Sequence, residues 1–274
     1  LKNWPSKTRM KRAGNLYEQI CDPDNLRMAF IKAKKGKEQK PDVYSYSKNL
    51  TANLRKLREQ LTTGSFDLGN YHFFTIYEPK ERLICAAPFA ERVLHHAIVN
   101  VCHPIFEQYQ IMHSYATRVG KGQYAALEYA RSNQGKYAWF CKLDIRKYFD
   151  SISHEKLIHF LSRLFKDKKL LGLFETIIQS YQTIPGRGLP IGNLTSQYFA
   201  NFYLGIADHF LLETIHIPSY VRYMDDMVFW HSNKSTLIEK SNEYISFIDE
   251  KLELNVKPVC LHPSEKGLPF LGYV

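Results

Sequence analysis

The chain has 274 residues, 45% of them hydrophobic and 23% charged, with 37 Lys and Arg against 27 Asp and Glu for a net charge of +10. That is long enough to bury a substantial core and excludes wholesale disorder, a collagen-like fibre and a coiled-coil rod. No apolar run approaches the roughly 18 residues that cross a bilayer, so no membrane partner is expected.

The charge is uneven. Residues 1–60 carry 15 Lys and Arg against 6 Asp and Glu, whereas the other 214 carry 22 against 21. A basic arm on a nearly neutral body suits phosphate neutralisation, although a solvated, solubilising face has the same composition. The five cysteines are odd in number, widely spaced and without a C-x-x-C pair, which argues against a disulfide scaffold or zinc ribbon and fits a reducing compartment. No signal-peptide pattern is visible, and a first residue of Leu rather than Met fits a fragment.

In chain order, Lys7, Arg9, Lys11 and Arg12 form the first basic cluster and are candidate nucleic-acid contacts. A helix is expected from Asp24 to Lys35, stopped by Gly36, with a loop over 36–46. Ser47 is expected to cap a helix with Leu50, Leu54, Leu57 and Leu61 on one face, ended by Gly64. Tyr71 to Tyr77 and Leu83 to Cys85 read as two strands joined by the turn Glu78-Pro79-Lys80-Glu81. An amphipathic helix follows Pro88, carrying Val93, Leu94, Ala97, Ile98 and Val101; its neighbours His95, His96 and His103 read as packing or surface residues rather than metal ligands. A further helix spans Gln123 to Arg131.

Tyr137 to Ile145 is an apolar run broken by Lys142, and reads as a buried strand that delivers Asp144 at its end. Ser153 is expected to cap a helix, another covers Leu170 to Tyr181, and a Gly/Pro-rich loop over 185–190 precedes a long helix from Leu194 to Glu213. Tyr220 to Met224 and Met227 to Trp230 read as a hairpin with Asp225 and Asp226 at its turn. A last helix spans 236–252.

Asp-Asp at a hairpin tip is commonly turn chemistry alone. Together with Asp144 it offers more: three carboxylates brought to one point of a sheet. Hard oxygen ligands on rigid strands suit Mg²⁺, which takes one or two carboxylates plus phosphate oxygens and water. Two such ions roughly 3.5–4 Å apart activate an attacking hydroxyl and stabilise a leaving pyrophosphate. With a basic arm for nucleic acid, the constellation points to a polymerase.

Tyr223-Met224-Asp225-Asp226 resembles the Y-x-D-D box of reverse transcriptases. Lys142 to Asp150 is similar to their first aspartate motif, Gly188 to Gln197 to their substrate-binding loop and helix, and Phe270-Leu271-Gly272-Tyr273 to their primer-grip hairpin. Order and spacing match over about residues 70–274. The resemblance implies an α+β right-hand polymerase fold of fingers and palm, with an antiparallel palm sheet packed on helices. A basic arm and helical fingers are expected over 1–69, fingers over 70–136 and palm over 137–274, the boundary being re-entrant near 151–190. The thumb of family members is expected to be absent from this chain.

The resemblance also assigns roles. Asp144 and Asp225 bind two Mg²⁺ ions, for which Mn²⁺ can substitute; Asp226 supports them and Ile145 lends a carbonyl. Lys80 and Arg82 grip the incoming dNTP, and Lys257 protonates the leaving pyrophosphate. Phe149 is the steric gate against a ribose 2′-hydroxyl, which disfavours an RNA polymerase. Most relatives carry Gln at the position of Ile191 and Pro at that of Gln197. Here Ile191-Gly192 is followed by Ser196-Gln197, wording that resembles the enzymes of diversity-generating retroelements, which copy a template RNA with errors at adenines. Implied partners are a template RNA and primer, the RNA–DNA hybrid and a small basic accessory protein, in a bacterial, archaeal or phage cytoplasmic setting. The alternatives are a group II intron, retron or phage-defence enzyme and, in another class, a catalytically silent RNA-binding module.

Overall fold

The computed structural model describes residues 11–77 and 81–274. It contains two compact units. One is built from Lys11–Gln108 and His154–Phe199; the described residues of the other are Tyr109–Ser153 and Ala200–Val274.

The first unit is mainly helical. Helix Pro23–Lys34 starts at Asp22, whose carboxylate accepts the N–H groups of Asp24 and Asn25, with Pro23 at the first helical position. The expected loop over 36–46 is corrected: helix Pro41–Lys48 occupies most of it. Pro41 opens that helix because its missing N–H would lack an intrahelical partner there anyway. Ser47 is correspondingly not a cap; it lies inside this helix and donates its hydroxyl to the Val43 carbonyl at 2.7 Å. Helix Leu50–Thr63 buries Leu57 and Leu61 and stops at Gly64, which takes a left-handed conformation.

Strands β1 (His72–Ile76) and β2 (Arg82–Ala86) pair antiparallel, from His72 opposite Ala86 to Ile76 opposite Arg82. Helix Phe89–Tyr109 follows and buries Val93, Leu94, Ala97 and Ile98. Asp167 caps helix Lys168–Gln179 and also accepts the N–H groups of Leu16 and Tyr17, both at 3.0 Å, so one carboxylate ties the backbone at Leu16–Tyr17 to the start of that helix.

The second unit holds a four-stranded antiparallel sheet. Its strands are β3 (Trp139–Leu143), β4 (Ser219–Tyr223), β5 (Asp226–His231) and β6 (Cys260–Pro263), in the order β4-β5-β3-β6. β6 was not expected from sequence; Pro263 at its end is tolerated because this strand lies at the sheet edge. One face packs Phe140, Val221, Val228 and Trp230 against Ala126 and Ala130 of helix Gln123–Gln134 and against Leu268 and Phe270. The other carries Tyr220, Met227 and Phe229. Tyr244 of helix Lys234–Leu252 stacks edge-on to Phe229 and donates to the Met227 sulfur. Side chains alternate strictly between these faces, so the register that buries Val228 on one side fixes Met227 on the other. Among the described residues no helix is long and apolar enough to cross a membrane.

Candidate active site

The ladder between β3 and β5 ends with Leu143 opposite Met227. Asp144 is the next residue, and the same register continued one step sets it opposite Asp226. Its backbone is fixed from the other side: Lys257 donates its N–H to the Asp144 carbonyl at 2.9 Å, and Arg146 donates to the Asn255 carbonyl at 2.8 Å. Those bonds flank the bridge between Ile145 and Val256, so the Ile145 carbonyl is not used by that crossing. Lys147 then turns the chain with φ of 46° into the short helix Tyr148–Ser151.

The hairpin of β4 and β5 closes with Tyr223 opposite Asp226, leaving Met224 and Asp225 as its tip. Met224 has φ of 56°, a strained conformation for a side chain of that size. Asp225 is pushed up to about 6, first by burial and then by the negative charges of Asp144 and Asp226; its own backbone N–H and Lys257 oppose the shift. Such mutual influence is what carboxylates sharing one site produce. Two lysines meet the other acids. Lys257 Nζ lies 2.6 Å from Asp144 Oδ2, and Lys142 Nζ lies 3.3 Å from Asp226 Oδ1.

Among the described residues no three His, Cys, Asp or Glu side chains form a ready metal cage. The donor set still fits a hard divalent cation. Carboxylates at the ends of adjacent strands, with a carbonyl free of the flanking ladder, are the ligands that such ions take alongside phosphate and water oxygens.

The remaining expected site residues fall as follows. Phe149 is half-buried, its ring edge-on to Tyr148 at 5.7 Å. Arg82 is exposed at the start of β2. The Ile191 carbonyl accepts the Cys85 N–H at 2.8 Å, which ties the 191–197 segment to β2. Gly192 has φ of 120°, and a Cβ there would meet the Ile84 side chain at 3.0 Å and the Cys85 carbonyl at 3.2 Å. Gln197 is half-buried in the first turn of helix Leu194–Glu213. Phe270 is buried, Gly272 and Tyr273 are exposed, and Leu271 lies between these extremes. Lys11 and Arg12 are exposed, with Arg12 donating to the Ser162 carbonyl at 3.2 Å. Lys7, Arg9 and Lys80 lie outside the described residues.

Two contributors escaped sequence reasoning. Lys142 reads as a break in an apolar run at the start of the first aspartate motif, with no role assigned, yet it lies against Asp226. Arg222 sits inside an apolar strand and is wholly buried, bonded to Asp208 and to the Met224 carbonyl. The signal for both was a charge placed within an otherwise apolar element, since buried charges are nearly always paired.

Residues 78–274 match the family model described as reverse transcriptase (RNA-dependent DNA polymerase). The group II intron-encoded protein LtrA of Lactococcus lactis is 24% identical over 217 residues, covering 72% of this chain and 35% of that protein. Nuclear intron maturase 4, mitochondrial, of Arabidopsis thaliana is 25% identical over 202 residues, covering 71% and 25%. The putative COX1/OXI3 intron 1 protein of Saccharomyces cerevisiae is 26% identical over 174 residues, covering 60% and 21%. The chain therefore spans only about a fifth to a third of the length of these relatives. Among solved structures, a truncated apo telomerase from Candida tropicalis aligns with a TM-score of 0.49 at 15% identity, covering 70% of this chain and 50% of that one. A partial Cas6-RT-Cas1–Cas2 complex aligns with a TM-score of 0.47 at 23% identity, covering 86% and 43%.

Proposed function

Because the chain belongs to the reverse transcriptase (RNA-dependent DNA polymerase) family, we propose that it copies a template RNA into DNA by nucleotidyl transfer with two Mg²⁺ ions. The observation that carries this reading is the meeting of Asp144, Asp225 and Asp226 at the end of β3 and the β4–β5 tip, with each negative charge felt at Asp225. In this reading Asp144 and Asp225 hold the ions, Asp226 supports them and Ile145 offers its carbonyl; Mn²⁺ is an acceptable substitute. When bound, the ions activate the primer 3′-hydroxyl and stabilise the leaving pyrophosphate.

The chain's own residues do the rest. The sheet unit serves as palm and the helical unit as fingers. Lys257, seated on Asp144, is the proton donor for pyrophosphate. Arg82 and Lys80 supply charge-assisted hydrogen bonds to the triphosphate. The Phe149 ring leaves no room for a ribose 2′-hydroxyl. Lys7, Arg9, Lys11 and Arg12 neutralise phosphates of the template RNA.

Two lineages are compatible with this chemistry. The intron-encoded protein and maturases among the relatives support an enzyme of group II intron type. Ile191, Gly192 and the Ser196-Gln197 pair support a diversity-generating retroelement, with errors at adenines and a basic accessory protein. A branched apolar side chain at 191 cannot make the polar contact that Gln offers near the incoming nucleotide, and losing one such contact loosens discrimination by about 1–3 kcal/mol.

The test is cDNA synthesis on an RNA template with Mg²⁺ and dNTPs, followed by deep sequencing, with Asp225→Asn as control. Metal-dependent product that vanishes in the control supports the polymerase, and errors concentrated at template adenines support the diversifying role. Faithful cDNA leaves the intron-type reading. Lack of product from the unaltered chain, with native RNA and accessory factor supplied, favours an RNA-binding module.

A further inference from the structure

We propose that Lys142 is a positioning residue that holds the Pro269–Tyr273 turn in register with Asp226. The inference rests on the polymerase reading and adds to it a residue that the family motifs leave without a role.

Lys142 lies near the end of β3, opposite Val228 on one side and Cys260 on the other. Its stem shares the face that packs Phe140, Val228 and Phe270, while its ammonium reaches the edge of that face, with the side chain 23% exposed. An ammonium carries three protons and accepts nothing. Here one proton is donated to the Pro269 carbonyl at 2.9 Å, and another faces Asp226 Oδ1 at 3.3 Å. A single side chain thus spans a candidate metal-binding carboxylate and the entrance to the turn.

The turn benefits from such a tie. Phe270 and Tyr273 exchange both backbone bonds, at 2.8 and 3.0 Å, which leaves Leu271 and Gly272 as a two-residue tip. Both have positive φ, 51° and 88°. Glycine adopts that conformation freely, whereas leucine is strained in it, so surrounding contacts must hold it. Two side chains grip the turn's carbonyls. Gln123 donates to the Leu271 carbonyl at 3.0 Å, and Lys142 donates to that of Pro269. Of these two, Lys142 is the one that also faces a catalytic carboxylate. The Gln123 tie fixes the turn alone; the Lys142 tie fixes the distance from the turn to Asp226.

The comparison of these two ties is the experiment. Lys142→Met keeps the stem and removes the charge, Lys142→Arg restores a cation, and Gln123→Ala loosens the turn from its other side. Binding of a fluorescent primer annealed to an RNA template is measured by anisotropy in EDTA, so that this readout does not depend on metal or turnover. Single-turnover extension is then measured at saturating duplex, and thermal melting verifies that each variant folds. Lys142→Met and Gln123→Ala should each weaken duplex binding by about 5–10-fold, the effect of losing one hydrogen bond at a bound surface. Lys142→Met should also slow extension by about 10-fold or more, because a small misplacement of reacting groups is costly. Gln123→Ala should leave that rate within about twofold, and Lys142→Arg should recover most of both losses. Three results would overturn the proposal: Lys142→Met indistinguishable from the unaltered chain, Lys142→Met matching Gln123→Ala in both measurements, or Lys142→Arg no better than Lys142→Met. If the unaltered chain gives no extension product, the polymerase reading fails instead, and the metal-free binding arm judges the tie to the turn by itself.

Discussion

Arg222 and Asp208 form a wholly buried ion pair beneath the hairpin tip that carries Asp225. Arg222 Nε lies 2.8 Å from both carboxylate oxygens and Nη2 lies 2.6 Å from one of them. The remaining guanidinium protons go to the Asn201 side chain and carbonyl, to Gln110 and, at 3.0 Å, to the Met224 carbonyl. Every donor is used, which is what makes a buried guanidinium tolerable. The pair connects helix Leu194–Glu213 to the strained residue just before Asp225. Asp208→Ala leaves the cation unpaired, and a loss of about 3–5 kcal/mol is expected in denaturant unfolding. Asp208→Asn, which still accepts from Arg222, should cost less while disturbing the tip, so its extension rate should fall more than its stability.

Gly192→Ala tests a different constraint. The backbone at φ of 120° already disfavours a side chain, and the new methyl would press on Ile84 and on the Cys85 carbonyl. A backbone carbonyl has little room to retreat when the neighbouring Cys85 N–H is bonded to Ile191. Destabilisation of about 1–3 kcal/mol is expected, read as a lower midpoint in chemical unfolding. A midpoint equal to that of the unaltered chain would show that this approach is slack.

Much of the candidate site was legible because its acids end elements that hydrophobic pattern alone delineates. Asp144 terminates an apolar run, and Asp225-Asp226 divides two short ones. What pattern could not supply was the partner of each charge. Lys142 and Arg222 interrupt apolar strands, and periodicity records an interruption without naming the carboxylate that faces it from another element. Helix Pro41–Lys48 was missed because Pro41 and the polar residues before it look like a loop, although proline is well suited to a first helical turn. β6 was missed because Cys260-Leu261-His262-Pro263 carries no alternation; its pairing with β3 is a tertiary choice.

Acid sensitivity should originate partly at His95. Its ring is fully buried on helix Phe89–Tyr109, and burial, aided by the neighbouring His96, holds it near 3, far below its ordinary 6.5. Folded chains therefore keep His95 neutral where unfolded chains protonate it. The associated stability is present above about pH 6.5 and is lost as pH falls towards 3, amounting to about 2 kcal/mol by pH 5. Glu91, 3.6 Å away, is shifted up by burial and acts in the opposite sense, taking up a proton in the folded state. Within this pair the net contribution to the slope is the difference between the two. His95→Leu should flatten the fall in melting temperature between pH 7 and pH 5, and an unchanged slope would exclude His95 as its source.

Phe149 offers the sharpest test of sugar selection. Its neighbour Tyr148 is buried and donates its hydroxyl to the Ala200 carbonyl. That anchor sets the start of helix Tyr148–Ser151, and the half-buried Phe149 ring leans edge-on against it. If this ring is the gate proposed above, exclusion of ribonucleotides should be steric and independent of Ile191. Phe149→Val removes the bulk but not the fold. The preference for dNTP over rNTP should fall by about 100-fold, or about 2.7 kcal/mol, measured as the ratio of kcat/KM values. Ile191→Gln should leave that ratio unchanged and instead lower misincorporation, read by sequencing the cDNA. If Phe149→Val leaves the ratio intact while Ile191→Gln alters it, sugar discrimination belongs to the 191–197 segment, and Phe149 is a packing residue.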